Sequence, residues 1–125
     1  IVNALSAIRY EPITTTIRSV GHFPPRGTPR VLWAGVEPVE HIVKLRNKVE
    51  KTLADIGVER DKRKFSAHIT LARLKNAPIN RVTRFLAENS MLETPPFYVS
   101  SFQLYSSILT PKGAIHTKEA TFPLR

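Results

Sequence analysis

Hydrophobic positions recur along this chain with two different periods, and the change of period marks its elements. Ile13-Thr14-Thr15-Thr16-Ile17-Arg18-Ser19-Val20 is dominated by β-branched residues and reads as a strand. From Gly21 to Pro29 the chain carries Pro24, Pro25, Gly27 and Pro29, which reads as a loop. Val31-Leu32-Trp33-Ala34-Gly35-Val36 is a short, continuous apolar run, as expected of a buried strand. The two strands are predicted to pair antiparallel across the loop. The period then becomes helical. Pro38 suits a first turn, Val39, Ile42, Val43, Leu45, Val49, Leu53 and Ile56 form a stripe, and Gly57 suits the residue past the end. Lys44, Lys48, Glu50 and Lys51 cover the other side. Upstream, Ile1 to Ile8 resembles the tail of an amphipathic helix.

Period two returns at Ser66-Ala67-His68-Ile69-Thr70-Leu71-Ala72-Arg73-Leu74. Alternation assigns Ser66, His68, Thr70 and Ala72 to one face; Ala67, Ile69 and Leu71 take the other and are expected to pack on the helix. Asn80 is the expected cap of a second helix with Val82, Phe85 and Leu86 as its apolar contacts. Phe97 to Leu109 reads as one long strand whose parity slips, so a β-bulge is expected near Ser100-Ser101. Thr110-Pro111-Lys112-Gly113 is a turn, and His116 to Phe122 returns as a last edge strand. The order β-β-α-β-α-β-β predicts an α+β fold with antiparallel sheets and helices packed on their outer faces.

Composition narrows the class. A chain of 125 residues with 42% hydrophobic content suits a single domain over residues 1–125. It has no cysteine, so disulfides and thiolate metal sites are excluded and a cytoplasmic setting is expected. No apolar run approaches the roughly 18–20 residues that span a bilayer, and no membrane association is expected. The 19 Lys and Arg residues against 10 Asp and Glu give a net charge of +9, which attracts RNA and anionic phosphates. Arg60, Lys62, Arg63 and Lys64 lead into the His68 strand, Arg73 and Lys75 leave it, and Arg26 and Arg30 sit in the Pro/Gly loop.

The candidate chemistry lies at His68 and Thr70. Residues two apart on a strand are roughly 6.5–7 Å apart, and a phosphate fits between two such side chains. An imidazole with an unperturbed pKa of about 6.5 suits general acid or base work, and a threonine hydroxyl can donate to a phosphate oxygen. Strict alternation turns Arg73 to the opposite face, so its long side chain or a local twist has to bring the guanidinium round.

His68-Ile69-Thr70-Leu71-Ala72-Arg73 resembles the second His-x-Thr motif, with its trailing arginine, of the 2H phosphoesterase superfamily, in its RNA 2′,3′-cyclic phosphodiesterase or 2′-5′ RNA ligase-like branch. Phe23-Pro24 followed by Pro29 to Val36 resembles a strand pair of that branch, and Leu104 to Leu109 with Pro111-Lys112-Gly113-Ala114 resembles its tail. The resemblance implies a bilobal α+β fold in which each lobe supplies one His-x-Thr to a central cleft. It implies opening of a 2′,3′-cyclic phosphate to a 2′-phosphomonoester, with reversible 2′-5′ RNA joining. No metal and no organic cofactor are implied, and the expected partners are RNA or nucleotides with 2′,3′-cyclic phosphate ends. His68 would be a catalytic acid or base, Thr70 would hold phosphate with it, and Arg73 would contact the substrate phosphate. His116 stands where the family often has an aromatic residue and is a candidate to line the cleft. His22 and His41 do not replace the family's first motif. The chain is therefore expected to be the C-terminal majority of a family member, without its first strand, helix and motif. A monomer is expected for the whole protein, and association is open to this stretch alone. The alternative is a non-catalytic RNA- or phosphate-binding module, motivated by the charge.

Overall fold

The first two predicted strands are present and pair antiparallel in the computed structural model, which describes residues 1–125. The elements are α1 (Val2–Ser6), β1 (Ile13–Phe23), β2 (Val31–Glu37), α2 (Glu40–Asp55), β3 (His68–Arg73), α3 (Ile79–Glu88), β4 (Phe97–Val99), β5 (Ser101–Thr110) and β6 (Gly113–Pro123). The fold is α+β, and its strands form one sheet in the order β3-β2-β1-β4 and one of β5-β6. The β1–β2, β2–β3 and β5–β6 pairs are antiparallel. The chain divides into two compact units, Thr14–Val43 with Lys64–Phe97, and Ile1–Ile13 with Lys44–Arg63 and Tyr98–Arg125. No helix is long and apolar enough to cross a membrane.

In the unit that contains His68, β2 shows how the sheet is anchored. Leu32, Ala34 and Val36 are buried, while Val31, Trp33 and Gly35 between them are only half-buried. The run predicted to be buried on both sides thus has one core face and one open face. Register carries this division across the sheet, because residues directly opposite in an antiparallel pair point to the same side. Thr15 is buried, and its hydroxyl donates to the Pro38 carbonyl at 3.3 Å. Beyond β1, the Ser19 amide donates to the Leu92 carbonyl at 2.8 Å and the Thr94 amide to the Ile17 carbonyl at 3.0 Å, so residues 92–94 run along the side of β1 that faces away from β2.

In the other unit the core is Leu5, Ile8 and Phe122, with Leu45, Val49, Leu53, Phe102, Leu104 and Ala120 packed against it. Leu45, Val49 and Leu53 recur every four residues, so one stripe of α2 meets this core. Phe102 and Phe122 are register partners whose rings stack at 5.0 Å. Lys48 donates to the Arg9 carbonyl at 2.7 Å, and its ammonium lies 5.6 Å from the centre of the Tyr10 ring.

Several expectations need correction. Gly21–Phe23 belong to β1, because they pair with Trp33, Leu32 and Val31. Phe97 to Thr110 is two strands in different sheets, so the slip at Ser100 is a change of sheet, not a bulge. The irregularity in the β5–β6 pair lies between Leu104 and Tyr105. Pro78, in extended conformation, is the N-cap of α3; Asn80 lies inside the helix and accepts a bond from the Arg81 amide at 3.0 Å. Ile69 and Leu71 remain 40% and 48% exposed, because β3 lies at the end of the sheet order, away from the core that Leu32, Ala34 and Val36 occupy.

Two glycines let the sheet close. A Cβ at Gly21 would fall inside the Trp33 ring, and one at Gly35 would come within 2.7 Å of the Arg18 carbonyl oxygen. Backbone cannot retreat as a flexible side chain can. Gly35→Ala is therefore expected to lower stability by about 1–3 kcal/mol, read as a lower urea midpoint with an unchanged m-value.

Candidate active site

The site is built on the open face of the sheet. Gly35 pairs with His68, Trp33 with Thr70, Leu32 with Ala72 and Val31 with Arg73, and the register shifts between Leu32 and Trp33. Leu71 is the residue left without a partner. That bulge changes the parity of everything after it. Val31, Trp33 and Gly35 alternate along one face of β2, so Arg73, Thr70 and His68 opposite them share that face too. Arg73 needs no special twist; the bulge turns it to the side of His68. The same shift removes Ala72 from the face on which strict alternation had placed it, because its partner Leu32 belongs to the core.

Across β2, Gly35 pairs with Arg18 and Trp33 with Gly21. Arg18, Gly35 and His68 therefore form one row, and Gly21, Trp33 and Thr70 the next. The row of His68 has a glycine at its centre, which leaves the imidazole without a bulky neighbour on that side. A second bulge occurs between Arg18 and Val20, with Ser19 in a left-handed conformation (φ 63°).

Two aromatic rings frame the histidine. Phe23 and His68 meet edge to face, with ring centres 5.0 Å apart and planes at 83°, and Phe23 meets Trp33 at 5.6 Å and 38°. Nothing local in the sequence marks Phe23 and Trp33 as part of the site. Their periodicity marked strands, but their meeting with His68 depends on pairing between distant segments. The Trp33 indole nitrogen is buried and has no hydrogen-bond partner.

The imidazole is held in one tautomer. His68 Nδ1 lies 2.6 Å from the Ser66 carbonyl oxygen. A carbonyl only accepts, so Nδ1 carries the hydrogen, and in the neutral ring Nε2 bears the lone pair. Nε2 is thus the atom that can exchange a proton with a ligand. His68, Thr70 and Arg73 are all exposed and open to one.

The remaining candidates are elsewhere. His22 pairs with Leu32 on the core face, and its Nδ1 is buried without a partner. His41 lies in the first turn of α2. His116 belongs to the other unit, on β6, where its Nδ1 is 2.7 Å from the hydroxyl of its register partner Ser107. No group of three or more His, Asp or Glu side chains is arranged to hold a metal ion. Of the basic run before β3, Arg63 is committed to Asp61 at 2.8 Å, and this guanidinium holds the Asp61 carboxyl at about 2, well below its ordinary value.

With this geometry in place, residues 35–116 match the family model described as LigT like phosphoesterase. The chain is 38% identical over 114 residues to an RNA 2′,3′-cyclic phosphodiesterase of Archaeoglobus fulgidus, covering 90% of this chain and 62% of that protein. It is 36% identical over 114 residues to one of Aeropyrum pernix, covering 90% and 65%. The fold is similar to the crystal structure of TT0787 of Thermus thermophilus, with a TM-score of 0.76, 30% identity and coverage of 99% of this chain and 68% of that one. Escherichia coli LigT complexed with 3′-AMP shares the fold with a TM-score of 0.70 at 22% identity, over 98% and 66% of the two chains. The chain thus spans less than two thirds of the length of these two curated relatives.

The tautomer is directly testable. Nitrogen-15 NMR of the neutral imidazole is expected to show a protonated Nδ1 and an unprotonated Nε2 at His68. The opposite assignment would contradict the bond to Ser66.

Proposed function

Because this chain belongs to the LigT like phosphoesterase family, we propose that the protein containing it opens 2′,3′-cyclic phosphates at RNA ends to 2′-phosphomonoesters. The observation that carries the reading is the shared face of His68, Thr70 and Arg73, created by the bulge at Leu71. The similarity to relatives named RNA 2′,3′-cyclic phosphodiesterase supports it.

The reaction needs two proton transfers. Water attacks phosphorus, a new P–O bond forms, and the bond from phosphorus to O3′ breaks. One proton leaves the water and one is delivered to the departing O3′, so the phosphate remains on O2′. His68 performs one transfer at Nε2, with Nδ1 anchored on Ser66 throughout. Thr70 donates to a phosphate oxygen, and the Arg73 guanidinium stabilises the negative charge that builds on the others. The chain contains one His-x-Thr; in the reading, the family's other motif supplies the second proton-transferring histidine. When a 5′-hydroxyl of RNA replaces water in the same step, the product is a 2′-5′ linkage.

Hydrolysis of adenosine 2′,3′-cyclic phosphate by the full-length protein tests the reading, with phosphorus NMR to establish that the product is the 2′-phosphate. His68→Ala is expected to lower kcat by roughly 10²–10⁴-fold. Arg73→Ala is expected to lower kcat/KM by roughly 10- to 100-fold, the worth of a hydrogen bond to a charged group. Undiminished turnover in His68→Ala would overturn the assignment.

A further inference from the structure

Charge is distributed unevenly along the open face, and the inequality has a direction. Residues 12–36 and 62–87 contain no Asp or Glu. Within the unit that carries His68, the acidic residues beside the sheet gather at one end. Glu37 pairs with Thr16, and Glu93 bridges to Arg18. With Glu40 these two line a cavity of about 440 Å³ that also includes Thr16, Arg18 and Val39. Arg18 is held by Glu37 at 3.1 Å.

The opposite end is basic. The Leu74 amide donates to the Arg30 carbonyl at 2.7 Å, and the Arg30 amide to the Phe23 carbonyl at 2.8 Å. These bonds bring the end of β3, with Arg73 and Lys75, beside the loop that carries Arg26 and Arg30. All four side chains are exposed, and none is in an ion pair. Their charge is therefore available to a ligand, unlike that of Arg18 or of Arg63 in the other unit. Along β3 the order is carboxylate end, His68, Thr70, Arg73, then free cations.

A cyclic phosphate sits on the last nucleotide of an RNA, so the rest of the molecule must leave the site in one direction. A phosphodiester chain is repelled at the end with Glu37, Glu40 and Glu93 and attracted at the other. We propose that Arg26 and Arg30, with Lys75, form a track for the backbone phosphates on the 5′ side of the reacting end. The preferred substrate is then a single-stranded oligonucleotide rather than a mononucleotide. This inference rests on the function proposed above, and it adds a direction and residues of its own.

Fluorescence anisotropy of the full-length protein tests it, with a 5′-labelled single-stranded oligoadenylate ending in a 2′-phosphate as the probe and 2′-AMP as a competitor that lacks the upstream backbone. Both are products of the proposed reaction and are not turned over. The double variant Arg26→Gln/Arg30→Gln is expected to reduce the slope of log K against log salt by about 1.4, or about 0.7 for each lost contact with a single strand. Its affinity for 2′-AMP should equal that of the unaltered protein, which also shows that the variant is folded. An unchanged slope and oligonucleotide affinity, with 2′-AMP still bound, would overturn the track alone. Failure of the unaltered full-length protein to bind either ligand would overturn the track together with the reading on which it rests.

Discussion

The register of β3 on β2 decides which side chains of the His68 strand act together, and everything proposed for the site depends on it. A strand has a period of two, so one residue gained or lost exchanges its faces. Here the buried row of Leu32, Ala34 and Val36 fixes β2. A slip of one residue in β2 would turn this row toward solvent, and fully exposing a side chain such as Leu or Val costs roughly 1.5–3 kcal/mol. Against a total stability of about 5–15 kcal/mol, that is a strong constraint. β3 is matched to this fixed template, and the mismatch of one residue is absorbed at Leu71. The chemistry of the face is a consequence: a base or acid, a hydroxyl and a cation in line.

The frame around that line is made by close approach. Gly35 is opposite His68 and touches the Arg18 carbonyl so nearly that no side chain fits, while Gly21 lies under the Trp33 ring. Phe23 then meets the imidazole edge to face. Ser66 completes the setting from the chain just before β3 by accepting the Nδ1 hydrogen. Each contact is local in space and distant in sequence, apart from Ser66. Together they give the exposed ring a defined orientation without burying it, which leaves it accessible to solvent and to the substrate proposed for it.

Much of this was legible in the order of residues. β-branched density marked β1, the apolar stripe and Gly57 marked α2, and alternation put His68 and Thr70 on one face. The placement of Arg73 was not legible, because a bulge is decided by the partner strand. Local alternation had turned Arg73 away and kept Ala72 on the face, and register reversed both. The parity slip near Ser100 was visible, but its cause was not: one strand with a bulge and two strands in different sheets leave the same trace in the sequence. Asn80 had a good capping residue type, yet Pro78 two residues earlier already supplies the extended conformation from which α3 starts. Gly21 looked like part of a loop because its role, room for an indole, involves a residue on another strand.

The central claim is that the bulge at Leu71 places Arg73 on the face of His68. It is tested most directly by a double-mutant cycle between Arg73→Ala and deletion of Leu71, read as kcat/KM for the proposed cyclic phosphate opening by the full-length protein. Removing the unpaired residue leaves Thr70 opposite Trp33, Ala72 opposite Leu32 and Arg73 opposite Val31. The loss caused by Arg73→Ala is therefore predicted to be the same in both backgrounds. A loss that is absent with Leu71 present and appears only after its deletion would contradict the account, because it is the result expected if β3 alternated without a bulge.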